Sequence, residues 1–213
     1  MAYQFDTVEE ALKDIRAGKL VIVLDGKNRE YEGDFIGAAS MVTPETINFL
    51  VSYAKGAFVA VFMPAGRCDQ LDIPPMGAGK NTSFNQTKFR LAVDAKKGGS
   101  GSSAIDRAMT VKLLGLADTK AEDFVRPGHV VPIEASGGGV VARPGHTEAG
   151  VELMRLAGIE PPVAVDLEIL DDDGSMAHEE KLFELAKKFK IRIITIESLI
   201  AFVKSKPACT VSR

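Results

Sequence analysis

Two uninterrupted apolar runs, Leu20–Leu24 (LVIVL) and Ala57–Met63 (AFVAVFM), each follow a segment bounded by helix start and stop signals. Short, continuous runs of this kind read as buried strands. Ahead of the first, Thr7 and Glu10 form a capping box in which hydroxyl and carboxylate each satisfy a free backbone N–H, and Gly18 ends the helix. Ahead of the second, Thr43-Pro44 gives the N-cap and first helical position, and Gly56 closes the helix. Pro64–Thr87, dense in proline and glycine, reads as loop, and Phe89–Asp94 alternates like a half-buried strand. Ser103 and Asp106 look like the capping pair of a helix over Ala104–Leu114 that stops at Gly115.

The last third alternates more regularly: helix Glu148–Ala157, strand Val163–Leu170, helix Glu179–Lys190, strand Ile191–Ile196, helix Ser198–Lys204. Strands alternating with helices favour a layered domain, α/β or α+β. With no linker-like break, residues 1–213 are expected to form one domain.

Composition excludes several classes. A net charge of −3 argues against a nucleic-acid surface, which usually shows as a basic stripe. No run nears the ~18 apolar residues of a membrane span, and Met1–Asp14 lacks a secretory layout. Two cysteines, Cys68 and Cys209, cannot frame a disulfide scaffold, so a cytoplasmic setting is expected.

Four segments carry chemistry. Glu30, Glu32 and Asp34 follow the first apolar strand, with Gly33 allowing a tight backbone path. Hard divalent cations take such carboxylates, though a solvated acidic loop has the same composition. Two of the three histidines lie in identical tetrapeptides, Arg126-Pro127-Gly128-His129 and Arg143-Pro144-Gly145-His146. Each reads as a rigid turn presenting an Arg suited to phosphate or carboxylate and a His suited to proton transfer or metal. His146 also opens a helix whose free N–H groups favour an anion. His178 reads as a plain surface residue. Gly98–Arg107 (GGSGSSAIDR) fits a phosphate cradle, a lid or a capped helix equally well, and matches neither nucleotide-binding fingerprint. Glu168, inside an apolar strand, is either an acid/base group or an edge-strand residue facing water beside Asp166, which shares its orientation. Asp171–Asp173 reads as a polar turn.

These segments, in this order, resemble the 3,4-dihydroxy-2-butanone 4-phosphate synthase family, which acts on D-ribulose 5-phosphate in riboflavin biosynthesis. The resemblance runs from Phe5 to about Val203 and rests on REYEGD (Arg29–Asp34), SSAIDRA (Ser102–Ala108), RPGHV (Arg126–Val130), RPGHTEAGVELMRLAG (Arg143–Gly158) and Leu167–Ala177. It implies an α+β fold, a homodimer with interfacial active sites, and Mg²⁺ (or Mn²⁺) held by Glu30 and His146. Arg29, Asp34, Asp106 and the Arg143, Gly145, Thr147 turn would hold the phosphorylated ketose, and His129 and Glu168 would transfer protons. The implied reaction is enolisation, loss of water, skeletal rearrangement and expulsion of C4 as formate. The chain ends at Arg213 with no room for the cyclohydrolase module of some members, so no GTP-linked activity is expected.

The sequence departs from the family's pattern around these groups. The acidic loop reads Lys27-Asn28-Arg29 with Tyr31 where Asn or Asp is usual, and no cysteine stands near Val59. Ser100–Ala104 replaces Thr-Gly-Ile-Ser-Ala, and Leu91–Asp94 reads LAVD in place of VSVD. A bulky Tyr31 is expected to reshape the pocket. These changes leave open a paralogue with a different product, or a non-catalytic sugar-phosphate-binding dimer.

Overall fold

The computed structural model describes residues 4–27 and 29–206; Asn28 and Cys209 lie outside them. Its strands are β1 (Val21–Leu24), β2 (Gly33–Ala38), β3 (Ala60–Pro64), β4 (Lys88–Phe89), β5 (Val93–Ala95), β6 (Phe124–Ala135), β7 (Ala164–Glu168) and β8 (Arg192–Thr195). They form a mixed sheet in the order β4-β6-β3-β7-β2-β1-β8, with β5 paired to β6 off this path. The β1/β8 and β3/β6 pairs are parallel; the others are antiparallel.

The longer helices are α1 (Val8–Arg16), α2 (Pro44–Tyr53), α4 (Ala104–Leu114), α6 (His146–Ala157), α7 (Glu179–Phe189) and α8 (Ile196–Ser205), with short α3 (Ala65–Gln70) and α5 (Gly139–Ala142) between them. Because strand side chains alternate faces, β1 sends Ile22 and Leu24 into one core and Val21 and Val23 into another. The first core is closed by α2, α4 and α7, through residues such as Leu50, Val111 and Leu182; the second by α1, α6 and α8, through Ile15, Leu153 and Leu199. Every residue of β1 is buried, as a sheet covered on both faces requires. The result is a helix–sheet–helix sandwich of the α+β class. No described helix is long and apolar enough to cross a membrane.

The predicted caps are present: Thr7 with Glu10 on α1, Thr43 with Pro44 on α2, Ser103 on α4. Two strands escape the sequence patterns. β2 reads GDFIGA, too short in apolar run to register, and β6 contains the first Arg-Pro-Gly-His unit. That unit is extended strand, not a turn; its Pro127 lacks an N–H to donate, and Gly128 lies against the Val93–Asp94 backbone where any Cβ would collide. The second unit is the turn expected, joining α5 to α6. Phe89–Asp94 divides into β4 and β5, both on β6.

Candidate active site

One pocket gathers Arg29, Glu30, Asp34, Arg143, Gly145, His146, Thr147 and Glu168. Its rim is the β1–β2 loop. Asp25, at the end of β1 with a fully buried side chain, accepts hydrogen bonds from Glu32 N (2.9 Å) and Glu30 N (3.3 Å), folding the acidic segment back on itself. Tyr31 sits at φ +57°, and its ring turns away from the pocket. Its hydroxyl donates to Glu179 Oε1 (2.6 Å) and the ring stacks on exposed His178 at 5.6 Å. Tyr31 thus anchors the acidic loop to the start of α7 and does not narrow the pocket.

The floor is sheet. Asp34 on β2 lies directly opposite Glu168 on β7, and Asp166 is the register partner of Ile36 and of Ala60. These acids face the α6 side of the sheet. Glu168 lines the pocket as the exposed last residue of β7, and Asp166 is 3% exposed; because β7 lies between β3 and β2, neither stands on an edge strand. Burial pushes Glu168 above the usual carboxylate range, and the charges of Asp34 and Glu30 add to it. Burial and the same crowding of carboxylates push Glu32 up to about 7. Asp34 is also raised by burial, although His146 and a hydrogen bond with Asp166 work the other way. Asp166 is raised well above the ordinary carboxylate range by burial and then by the charge of Asp34.

The remaining wall is the start of α6. His146 is buried, and its Nε2 lies 3.0 Å from the carbonyl oxygen of Val23. A carbonyl only accepts, so Nε2 carries a hydrogen, and Nδ1 lies on the pocket side of the ring, 3.3 Å from Asp34 Oδ2. Ligand atoms of Asp25, Glu30 and His146 lie within 4.8 Å of one another. Two carboxylates and an imidazole suit a hard divalent cation; Asp25 accepts from backbone N–H groups, and Glu30 and His146 stand beside it at the pocket.

Beside them is an anion-binding corner. Gly145 caps α6 without a side chain, leaving the first N–H groups of the helix free of a side-chain cap. A Cβ at Gly145 would lie 2.7 Å from Arg143 Nη1 and 3.1 Å from Arg29 Nη1, so glycine lets both guanidinium groups converge there without shifting. Arg143 is held by Glu148 (2.6 Å), which also accepts from Ser136 N (2.7 Å); Arg29 is held by the Pro144 carbonyl (2.9 Å).

Asp106 and His129 are not part of this pocket. His129 donates its backbone N–H to Asp94 Oδ1 (2.9 Å) and pairs through Nδ1 with Asp94 Oδ2 (2.7 Å), leaving a ring about half exposed. Gly101, at φ +87°, packs against this pair, where any side chain would collide. Asp106 accepts from Gly99 N (2.7 Å) and the Ser103 hydroxyl (2.9 Å), so it shapes the Gly98–Ser103 loop. Sequence reasoning overlooked Asn85, whose amide donates to Glu30 Oε1 and whose carbonyl accepts from Arg143 (3.1 Å), and the organising roles of Asp25 and Glu148. The loop composition around Asn85 gave no signal; Glu148, buried in a helix start, was visible only as part of a longer motif.

A profile of the 3,4-dihydroxy-2-butanone 4-phosphate synthase family matches residues 9–202. Among curated relatives, riboflavin biosynthesis protein RibBA of Aquifex aeolicus (strain VF5) is 51% identical over 203 residues, covering 94% of this chain and 49% of that protein. RibBA of Chlorobium phaeovibrioides is 48% identical over 201 residues, 93% of this chain and 48% of its own. The chain thus spans about half the length of the curated relatives it matches. A crystal structure of 3,4-dihydroxy-2-butanone 4-phosphate synthase in complex with two magnesium ions superposes with a TM-score of 0.90 at 37% identity, covering 95% of this chain and 98% of the other. RibBX of A. baumannii, a two-domain synthase, gives 0.90 at 40% identity, covering 95% and 59%. With the family profile spanning nearly all of the described fold, the chain belongs to the 3,4-dihydroxy-2-butanone 4-phosphate synthase family.

Proposed function

We propose that this protein converts D-ribulose 5-phosphate to 3,4-dihydroxy-2-butanone 4-phosphate and formate, with Mg²⁺ or Mn²⁺ as cofactor. The observation that carries the reading is the placement of Glu30 and His146 beside the anion corner formed by Arg29, Arg143 and Gly145, above a floor of acids. The corner suits the substrate phosphate: two guanidinium groups and the start of α6 offer charge and N–H donors, and the Thr147 hydroxyl adds a further group. A cation held by Glu30 and His146 would stabilise negative charge developing on the substrate oxygens.

Glu168, in the pocket and raised above the usual carboxylate range by burial, is suited to take and return protons at the sugar carbons. Asp34, opposite it, accepts from a substrate hydroxyl. The balance is closed: the water lost on dehydration returns as C4 leaves, and the pentulose phosphate divides completely into the four-carbon ketone phosphate and formic acid.

The second proton-transfer group, His129, is outside the pocket of its own chain. We infer a homodimer in which each copy lends His129, its ring fixed by Asp94, to the pocket of the other. Asp106 serves the same site by holding the loop that packs on this pair. Exposed Ile105 and Met109 on α4 and Val125 on β6 offer apolar surface beside it. A cytoplasmic setting is in keeping with Cys68, buried and unpaired, its thiol pushed up to about 12 by burial. Incubation with ribulose 5-phosphate and Mg²⁺, with and without EDTA, tests the reading. Metal-dependent release of formate is expected; consumption without formate points to a different product, and no consumption refutes it.

A further inference from the structure

The acidic loop and the anion corner meet at one residue that belongs to neither. Asn85, in the segment between α3 and β4, is part-buried at the edge of the pocket. Its side-chain amide donates to Glu30 Oε1, and its main-chain carbonyl accepts from Arg143 Nη2 at 3.1 Å. A carboxylate only accepts, so the amide nitrogen must face Glu30. That bond takes up Oε1 and restrains the plane of the carboxylate, leaving Oε2 to meet a cation. Arg143 is gripped from two sides, by Glu148 through Nη1 (2.6 Å) and by the Asn85 carbonyl through Nη2.

The turn that carries Asn85 is built as a unit. Asn81 spans it, donating from Nδ2 to the Thr87 carbonyl (2.8 Å) and accepting at Oδ1 from the Ser83 N–H (3.0 Å) and hydroxyl (2.8 Å). Ahead of it, a Cβ at Gly77 or Gly79 would meet nothing within 4 Å, so the approach is unpacked. Phe84, the turn's one apolar side chain, is 98% exposed and pins nothing to a core. Among the described residues, the hydrogen bonds that tie residues 81–87 to elements other than the adjoining β4 are the two made by Asn85. A stiff turn on an unpacked approach sits where those two bonds put it.

We propose that Asn85 is a positioning residue that clamps the two halves of the pocket together: its amide sets Glu30 for the cation, and the same contact seats the turn whose carbonyl sets Arg143 for the phosphate. This rests on the reading of the pocket as a cation and sugar-phosphate site. Loss of the amide then weakens both ligands, although the carbonyl on Arg143 is main chain and survives any substitution.

Calorimetric titrations separate this role from a simple contact. With Mg²⁺ alone, Asn85→Ala should bind about three- to tenfold more weakly than wild type, the loss of one hydrogen bond to a carboxylate at a part-exposed site. With inorganic phosphate alone, in EDTA, the same variant should again bind several-fold more weakly. The Glu30→Ala background decides the route: there Asn85→Ala should change phosphate affinity by less than about twofold, because the anchor is already gone. Thermal midpoints without ligand establish that each variant is folded. The inference fails if Asn85→Ala binds both ligands like wild type, or weakens only one of them. It also fails if the phosphate loss is the same in both backgrounds, which would make Asn85 a direct phosphate contact. Wild type that binds neither Mg²⁺ nor phosphate overturns the reading of the pocket, and this inference with it.

Discussion

The Nε2–H of His146 donates to the Val23 carbonyl at 3.0 Å, which turns Nδ1 of a buried imidazole toward Asp34 and the pocket. A main-chain partner on β1 therefore chooses the tautomer, and the strand that positions Asp25 also orients the histidine. If Nδ1 and Glu30 hold the cation, ligand linkage at a hundredfold excess of Mg²⁺ over its Kd stabilises the fold by about 2.7 kcal/mol, or roughly 5–10 °C in a chain of this size. Thermal denaturation should show that rise for wild type and little of it for His146→Ala or Glu30→Gln. An undiminished rise in both variants would place the cation elsewhere.

Mixing two inactive variants tests the shared site. Glu30→Gln disables the pocket and His129→Ala disables the group lent to it. In dimers formed by exchange, one of the two sites has both residues intact. Equal amounts co-refolded should recover about a quarter of wild-type activity. No recovery, with exchange verified by mass, would mean that His129 serves its own chain or none.

Tyr31→Phe removes the hydroxyl that donates to Glu179 but leaves the ring to stack on His178. Glu179 and burial push the phenol up to about 12, so the lost bond is a neutral donor to a carboxylate at any ordinary pH. Destabilisation of about 1 kcal/mol is expected, together with faster amide exchange at Glu30 and Glu32 and a several-fold weaker Mg²⁺ affinity. Unchanged exchange in the loop would remove Tyr31 as its anchor.

Glu134 on β6 gives the fold a pH dependence away from the pocket. Burial alone would raise it, but hydrogen bonds from Arg90 and Lys88 (3.0 Å) outweigh that and hold it below the ordinary glutamate range. The folded state then binds this proton more weakly than the unfolded chain. The stabilisation is complete above the unfolded pKa and is lost as pH falls through the folded one. Urea midpoints between pH 7 and 3 should fall less steeply for Glu134→Gln than for wild type; identical slopes would contradict the pairing.

The strand runs, the caps and one helix start were legible in the chain because each is a local pattern: LVIVL, Thr7 with Glu10, the second Arg-Pro-Gly-His opening α6. Alternation left Asp166 open, since it says only that it shares a face with Glu168; the place of β7 in the middle of a sheet covered on both sides decides that Asp166 is buried. The identical Arg-Pro-Gly-His units took different conformations because the first lies inside β6, whose flanking residues pair with β5 and β3 while the β5 ladder passes over the unit itself between Val125 and Val130. His129 and Glu168, expected to transfer protons together, lie apart in one chain, and only the resemblance, not any local pattern, points to a second copy that could join them. Tyr31 looked like bulk between carboxylates, and only the positive φ revealed where its ring goes.

The central claim is that this pocket cuts a single carbon from a pentulose phosphate. Ribulose 5-phosphate labelled with ¹³C at C4 tests it most directly, followed by NMR in the presence of Mg²⁺. The account predicts that the label appears in formate and in no phosphorylated product, and that Glu30→Ala or EDTA stops its release. Label retained in a phosphorylated product, or formate that is unlabelled, would contradict it.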